Sequence, residues 1–247
     1  MRVVHGLLAI GLALAIWQLI VILTSVPSFI LPPPLTVMKT WFESRVLIAE
    51  HSLATGTAIL LGLTIGVLLG VSTALLLAAS KTIRLMVRPM LVFTQALPVF
   101  ALAPILTLWL GFGIGSKVAM AVLIIYFPVT SAFFDGLVRT PPAYLDLAST
   151  MGASRQAVLW QIKIPAALPA LGSGLRLAAV SAPIGAVIGE WVGASQGLGY
   201  LMLLANGRAK TDLMFAALLT LGVLSVTLYL LINWLVLTVL HHHAPAD

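Results

Sequence analysis

Long apolar stretches alternate with short polar ones along the chain, and this alternation predicts a bundle of membrane-spanning helices. A helical span needs about 20 largely apolar residues. The predicted spans are residues 7–24, 54–79, 90–110, 117–137, 171–189 and 213–240. The sequence therefore predicts an all-α, polytopic membrane protein of six transmembrane helices, with residues 1–247 forming a single domain.

The connections between the spans carry most of the prolines and charges. After the first span, prolines and a mixed stretch within residues 27–52 predict a short interfacial helix. Lys81, Arg84 and Arg88 predict a short basic loop before the third span. That span contains Pro98 and Pro104, which predict a bent helix.

One polar break, residues 140–169, is longer and more polar than the connections around it. It contains Asp146, Arg155 and Lys163, although only 8% of the chain is charged. We expect this segment to leave the membrane and to meet water or a partner.

The first half of the break predicts a short amphipathic helix. Pro141 and Pro142 favour a helix start, and Thr140 is available as its cap. An apolar stripe follows at helical spacing, formed by Tyr144, Leu147, Ala148 and Met151. Gly152 predicts the end of this helix.

The second half predicts another short helix, which Ser154 caps and which runs from Arg155 to about Lys163. Pro165 predicts its end. Such a hairpin of two helices could lie along the membrane surface, or it could dock into a groove of a soluble partner.

The spacing within the break resembles a family signature. Asp146-Leu147-Ala148, three residues, Gly152, nine residues and Ile162-x-Ile164-Pro165 resemble the signature loop of the membrane subunits of bacterial ABC importers. That loop reads Glu-Ala-Ala, three residues, Gly, nine residues and Ile-x-Leu-Pro, so this chain departs from it in three positions that keep charge or apolar character. The resemblance implies a cytoplasmic coupling helix that sits in a cleft of an ATPase subunit. The residues that it assigns to ATPase coupling are Tyr144, Asp146, Leu147, Ala148, Met151, Gly152, Ala153, Ser154, Arg155, Ile162, Ile164 and Pro165.

Two further segments extend the resemblance to one group of these permeases. Residues 109–113, WLGFG, and 193–200, GASQGLGY, are similar to permeases for nitrate, sulfonate, taurine and thiamine precursors. With residues 189–192, GEWV, in front, the second segment most resembles permeases assigned to hydroxymethylpyrimidine, a thiamine precursor. The implied solute is therefore hydroxymethylpyrimidine, with sulfonate, taurine or nitrate as alternatives.

The same resemblance implies the fold and the partners. The fold would be the MetI-like, binding-protein-dependent ABC permease fold. The partners would be two ABC ATPase subunits, a periplasmic or lipid-anchored solute-binding protein, the lipid bilayer and a second copy of the chain in a homodimer. ATP and magnesium would be bound by the ATPase subunits, and this chain would hold no cofactor.

The chemistry-bearing residues argue against an enzyme. No Gly-x4-Gly-Lys-Ser/Thr or HExxH pattern occurs, and the chain has no cysteine. The net charge of +6 lies in short loops, which indicates membrane topology rather than nucleic-acid binding. A stand-alone secondary transporter is the alternative from another class, since proline-kinked spans suit it equally.

Basic residues set the predicted orientation through the positive-inside rule. With a cytoplasmic amino terminus, eight of the 13 Lys and Arg residues are inside and five are outside. The inside group is Arg2, Lys81, Arg84, Arg88, Arg139, Arg155, Lys163 and Arg176, and the outside group is Lys39, Arg45, Lys117, Arg208 and Lys210. Both termini and the polar break are then cytoplasmic, and the protein is a multi-pass component of the bacterial inner membrane.

A few residues within the spans are candidates for the pathway or for helix packing. Glu190 and Trp191 are candidates for a pathway or gate, although Glu190 could be a hydrated carboxylate at headgroup level and Trp191 an interface anchor. Small residues spaced by four predict close helix contacts, or else reflect ordinary membrane composition. They are Gly62, Gly66, Gly70, Gly185 and Gly189. His241, His242 and His243 are interpreted as a tail or tag remnant, and no metal site is predicted.

Overall fold

The computed structural model describes residues 2–239, and this part of the chain is helical with no strand. Its helices are α1 (Arg2–Thr24), α2 (Pro34–Glu43), α3 (Arg45–Ala79), α4 (Lys81–Ala96), α5 (Val99–Leu110), α6 (Ile114–Val138), α7 (Pro142–Thr150), α8 (Arg155–Val158), α9 (Ile164–Gly193), α10 (Leu198–Gly207) and α11 (Thr211–Val239). A π-helical turn, Leu159–Lys163, joins α8 to α9. The all-α fold is confirmed, and the terminal histidines lie outside the described residues.

The count of six spans is not confirmed. Within the described residues, four segments are long and apolar enough to cross a membrane, namely α3, α6, the α8–α9 segment and α11. The pair α4 and α5 gives a fifth span if both halves cross together. The first predicted span corresponds to a shorter apolar stretch, Leu8–Thr24.

The predicted bend in the third span is a break between two helices. The chain turns by 99° between α4 and α5. Pro98 stands at the N-cap of α5 in an extended conformation, and the residue before a proline is disfavoured in helical geometry. Pro104 lies within α5 without breaking it. The two prolines therefore have different effects, a break at Pro98 and continuity at Pro104.

Two predicted connections are also helical. Lys81, Arg84 and Arg88 belong to α4 and not to a loop, because Ser80 caps the helix by accepting a hydrogen bond from the Ile83 N–H. The predicted interfacial helix is confined to Pro34–Glu43, and the long helix α3 begins directly afterwards at Arg45.

The core of the bundle forms where α6 packs between α3 and α9. Most of its buried side chains are small or β-branched, and among them are Ala58, Ile59, Ala121, Ile125 and Ala182. Lipid is as apolar as these side chains, so helices in a membrane associate mainly by close packing. A core built from alanine and glycine allows that close approach.

Glycines of α3 mark the contact with α6. A Cβ added at Gly66 or Gly70 would stand 2.9 Å from the side chain of Ile125 or Val129, and one at Gly62 would meet Ala121. From the other side, Gly185 of α9 faces the backbone of Ala121, and Gly189 faces Lys117. Both neighbours of α6 thus approach it through glycines.

Pro165 does not end the second hairpin helix, contrary to the prediction. Helix α9 begins at Ile164 and includes Pro165 in its first turn, where a proline is tolerated. The π-helical turn ends there, with the Ile164 N–H donating to the Leu159 carbonyl oxygen. This wider turn accommodates the proline, so the helical segment continues from Arg155 to Gly193.

Replacing Gly185 with alanine tests the packing of α9 on α6. The new Cβ would stand 2.7 Å from the Ala121 Cα, a backbone atom that can yield only if α6 shifts. We expect Gly185→Ala to cost about 1–3 kcal/mol of stability, measured as a lower midpoint of thermal unfolding in detergent. Gly222→Ala is the matched control, since nothing lies within 4 Å of its added Cβ. Equal midpoints for both variants would contradict this packing.

Candidate functional site

Helices α7 and α8 form a hairpin that joins the ends of α6 and α9. We call residues 140–163 the hairpin, and the end of the bundle that carries it the hairpin end. The hairpin brings nearly all of the residues assigned to coupling together in one projecting segment, with Ile164 and Pro165 directly after it.

The start of α7 differs from the prediction in its cap. The Thr140 hydroxyl donates to the Leu137 carbonyl oxygen at 3.2 Å, so it closes the end of α6 and does not cap α7. Pro141 occupies the N-cap position without a side-chain hydrogen bond. The fixed φ of the two consecutive prolines then starts the helix, because proline at the first turn has no N–H to satisfy.

The predicted apolar stripe of α7 divides between two environments. Ala148 is buried, whereas Tyr144, Leu147 and Met151 are 51%, 59% and 77% exposed. Asp146 is exposed beside them. The hairpin thus presents large apolar side chains and a carboxylate on a surface that nothing within residues 2–239 covers.

The elbow of the hairpin is closed by backbone hydrogen bonds. The Ala153 N–H donates to the Ala148 carbonyl oxygen at 2.9 Å, and the Gly152 N–H donates to the Ser149 carbonyl oxygen at 3.0 Å. This pair is the Schellman arrangement, in which the first of the two donors, here Gly152, has a left-handed conformation. Gly152 has φ +71°, with open space around its added Cβ, so its backbone conformation and not crowding calls for glycine.

The second arm of the hairpin begins as predicted, since the Ser154 Oγ accepts from the Ala157 N–H at 3.2 Å. Arg155 follows in an exposed position, and Ile162 is half-buried. Ile164 packs with Leu159 against the buried cluster at the hairpin end of the bundle. The second arm is therefore held by the bundle, whereas the elbow projects from it.

A cavity of about 620 Å³ separates the hairpin from the end of α3. Its lining includes Ala78 and Ala79 of α3, Leu145 and Ser149 of α7, and Trp160 of the π-helical turn. Arg155, Gln156 and Lys163 also line it, so the recess beside the exposed elbow combines apolar and charged side chains.

Glu190 lies near the opposite end of α9 and is 1% exposed, so the interpretation as a hydrated carboxylate at the surface is wrong. Its Oε1 accepts from the Thr55 hydroxyl at 2.7 Å, and its Oε2 accepts from the Gly199 N–H at 2.7 Å. Trp191, its neighbour, is partly exposed. A buried carboxylate bonded in this way is anchored within the protein, and a role of Glu190 in a pathway or gate stays a prediction.

No sequence pattern predicts the residues that hold Glu190 and the loop after α9. Thr55 is fully buried, and besides donating to Glu190 it accepts from the Leu198 N–H at 2.7 Å. Lys117 donates to the Gln196 carbonyl oxygen at 3.1 Å, and the Gly197 N–H donates to the His51 Nδ1 at 3.0 Å. These residues are isolated in apolar or mixed stretches, so no local pattern marks them.

No group of three His, Asp or Glu side chains within residues 2–239 is arranged to hold a metal ion.

Comparison with known proteins identifies the family. A family model described as "Binding-protein-dependent transport system inner membrane component" matches residues 62–240. A probable ABC transporter permease protein of Haemophilus influenzae is 51% identical over 234 residues, which cover 95% of this chain and 96% of the relative.

Two relatives carry substrate names. The formylaminopyrimidine transport permease protein ThiX of Halalkalibacterium halodurans is 39% identical over 76% of this chain and 75% of its own length. The riboflavin transport system permease protein RibX of Chloroflexus aurantiacus is 40% identical over 89% of this chain and 83% of its own length.

A solved structure shares the fold. A chain from inward-facing conformations of the MetNI methionine ABC transporter superposes with a TM-score of 0.68 at 17% identity, over 82% of this chain and 99% of that chain. Together with the family match, this likeness confirms the MetI-like permease fold. The chain belongs to the family of binding-protein-dependent transport system inner membrane components and is a multi-pass ABC importer permease.

Proposed function

We propose that this permease transports a small pyrimidine, with hydroxymethylpyrimidine as the first candidate, as half of a homodimer that two ATPase subunits drive. The exposed hairpin carries the ATPase-driven part of this proposal, because it presents Tyr144, Leu147 and Met151 to a partner from the end of the bundle. Family membership implies association with ATPase and substrate-binding subunits.

The hairpin is the proposed coupling element. A short helix that presents apolar residues at helical spacing is suited to a groove in a partner protein. Asp146 lies on the same exposed surface and could pair with a basic residue of the ATPase. The hairpin end is then cytoplasmic, in agreement with the distribution of Lys and Arg, and so are both termini.

Movement of the hairpin would pass directly into the membrane. The second arm continues through the π-helical turn into α9, so the coupling surface and a central helix of the bundle belong to one helical segment, Arg155–Gly193. Closure of two ATPase subunits on ATP would draw two hairpins together. The two copies of the bundle would then reorient around their shared axis, giving alternating access.

Nucleotide chemistry belongs to the partners in this proposal. The chain has no phosphate-cradling loop, so ATP and magnesium would be bound by the ATPase subunits. A solute-binding protein on the other side of the membrane would deliver the solute to the end of the bundle that carries Glu190.

The substrate proposal rests on the resemblance of residues 189–200 and on the relatives' names. One relative is named for formylaminopyrimidine and another for riboflavin. Riboflavin is therefore the second candidate, and sulfonate, taurine and nitrate are further alternatives.

Substituting Gly152 tests the coupling elbow. Proline fixes φ near −65°, whereas the elbow requires φ +71°, so we expect Gly152→Pro to abolish stimulation of ATP hydrolysis by the binding protein in proteoliposomes. Gly152→Asn is the matched control, because asparagine adopts left-handed geometry with little strain. Membrane insertion should be normal for both. Full stimulation in the proline variant would contradict the coupling role.

A second test addresses the docking surface of the hairpin. Leu147→Asp places a charge where an apolar contact is proposed, and we expect at least a tenfold loss of affinity for the ATPase subunit encoded beside this chain, measured in detergent with purified subunits. Leu147→Met keeps apolar character and should bind normally. If the unsubstituted chain neither retains an ATPase on gentle solubilisation nor responds to ATP, the secondary-transporter alternative is favoured instead.

Thermal unfolding of the neighbouring binding protein tests the substrate. A ligand that binds only the folded state raises the unfolding midpoint, and the stabilisation grows with the logarithm of the ratio of its concentration to Kd. We expect hydroxymethylpyrimidine or formylaminopyrimidine to raise it most within a panel that also contains riboflavin, taurine, an alkanesulfonate and nitrate. A larger rise with any of the last four would replace the pyrimidine proposal.

A further inference from the structure

One helical segment connects the hairpin to a buried carboxylate near the other end of the bundle. The segment Arg155–Gly193 has 39 residues, which correspond to a length of about 60 Å at 1.5 Å per residue. Its first turns form the second arm of the hairpin, and Glu190 lies in its last turn. Whatever Glu190 holds is therefore attached to the same segment that the ATPase would move.

Glu190 holds the loop and the helix that follow α9. Its Oε2 accepts from the Gly199 N–H in the first turn of α10, and its Oε1 accepts from Thr55 of α3. Thr55 in turn accepts from the Leu198 N–H. Two helices and the start of a third thus meet at one carboxylate and one hydroxyl.

Two glycines of the segment 193–200, Gly197 and Gly199, are explained by this carboxylate. A Cβ at Gly197 would collide with the Glu190 carboxylate, and one at Gly199 would stand 2.9 Å from its Oε2. Gly197 also has φ +122°, a conformation that side chains other than hydrogen rarely allow. The sequence of this loop is therefore fitted around Glu190.

Two more residues hold the same loop without contacting the Glu190 carboxylate. Lys117 of α6 donates to the Gln196 carbonyl oxygen, and His51 of α3 accepts from the Gly197 N–H. The side chains of Ser195 and Gln196 remain exposed at the tip. The loop is thus fixed at its base and open at its tip.

A buried carboxylate is costly when it loses its partners. If α9 moved at this end without the loop, Glu190 would lose the Gly199 N–H, and Gly199 would lose its acceptor. We therefore expect the loop and the start of α10 to move together with the end of α9 and with the part of α3 that carries Thr55.

We propose that Glu190 is a positioning residue that fastens residues 194–199 to the end of α9, so that displacement of the hairpin reaches the surface presented to the solute-binding protein. This inference rests on the proposed importer function. Glu190 acts here through the loop and makes no contact with the solute.

Spin labelling can test this fastening, because the chain has no native cysteine. Ser195→Cys places a label on the exposed loop tip of the full complex with its ATPase and binding protein. Thr55→Val removes the donor to Glu190 and the acceptor of the Leu198 N–H, whereas Thr55→Ser keeps the hydroxyl and is the matched control. Glu190→Gln is a second variant in case Thr55→Val fails to fold.

We expect the label to become more mobile in Thr55→Val and Glu190→Gln, and the stimulation of ATP hydrolysis by the binding protein to fall about tenfold. That factor corresponds to the loss of one hydrogen bond to a charged acceptor. Thr55→Ser should keep both the line shape and the stimulation. Normal behaviour of Thr55→Ser would show that the losses in Thr55→Val come from the missing hydroxyl and not from a general packing defect.

Two results would overturn the proposal. One is an unchanged line shape with unchanged stimulation in both variants. The other is a fall of ATP hydrolysis only in proportion to the amount of intact complex, with the loop label unaltered, which would give Glu190 a role in folding alone.

A label at Ala153→Cys, on the elbow, separates this outcome from failure of the proposed function. If that label is not immobilised when the ATPase subunit binds the otherwise unsubstituted chain, the coupling role of the hairpin fails. This conclusion about the hairpin holds whatever the label at residue 195 shows.

Discussion

The close approach of α3 and α9 to α6 is the contact on which the rest of the structure depends. Lipid offers helices no hydrophobic reason to associate, so the bundle is held by the fit of its surfaces. Glycines on α3 and α9 let the backbone of α6 come near from two sides, and alanines fill what space remains. With these three helices fixed, the other elements have a rigid body against which to be placed.

The packing of α3, α6 and α9 places the two ends of α9 in different environments. At one end, the helix emerges as the second arm of a hairpin with exposed apolar side chains. At the other end, it carries a carboxylate that is completely enclosed by α3 and by the loop before α10. A helical segment with an exposed apolar surface at one end and a buried, hydrogen-bonded carboxylate at the other is suited to transmitting displacement across a membrane. Pro165 does not interrupt this segment, because the wider π-helical turn precedes it.

Prolines in the bundle have different effects on the helices that contain them. Pro98 separates two helices at 99°, whereas Pro104, Pro169 and Pro183 lie inside helices. A proline removes one hydrogen bond in each case. Neighbouring helices decide whether the chain bends there or continues, since in a membrane they can satisfy the freed carbonyl groups.

The sequence by itself determined the all-α membrane fold, the importer permease family and the form of the hairpin. Each of these rests on a local signal: apolar length, residue spacing, a serine cap and a glycine where the chain needs positive φ. The sequence did not determine whether Pro98 and Pro165 end a helix, nor how many segments cross the membrane. It gave no sign that Thr55, His51 and Lys117 converge on the loop around Glu190. Those outcomes depend on contacts between residues as much as 146 positions apart, and only the packing of α3, α6 and α9 brings them together.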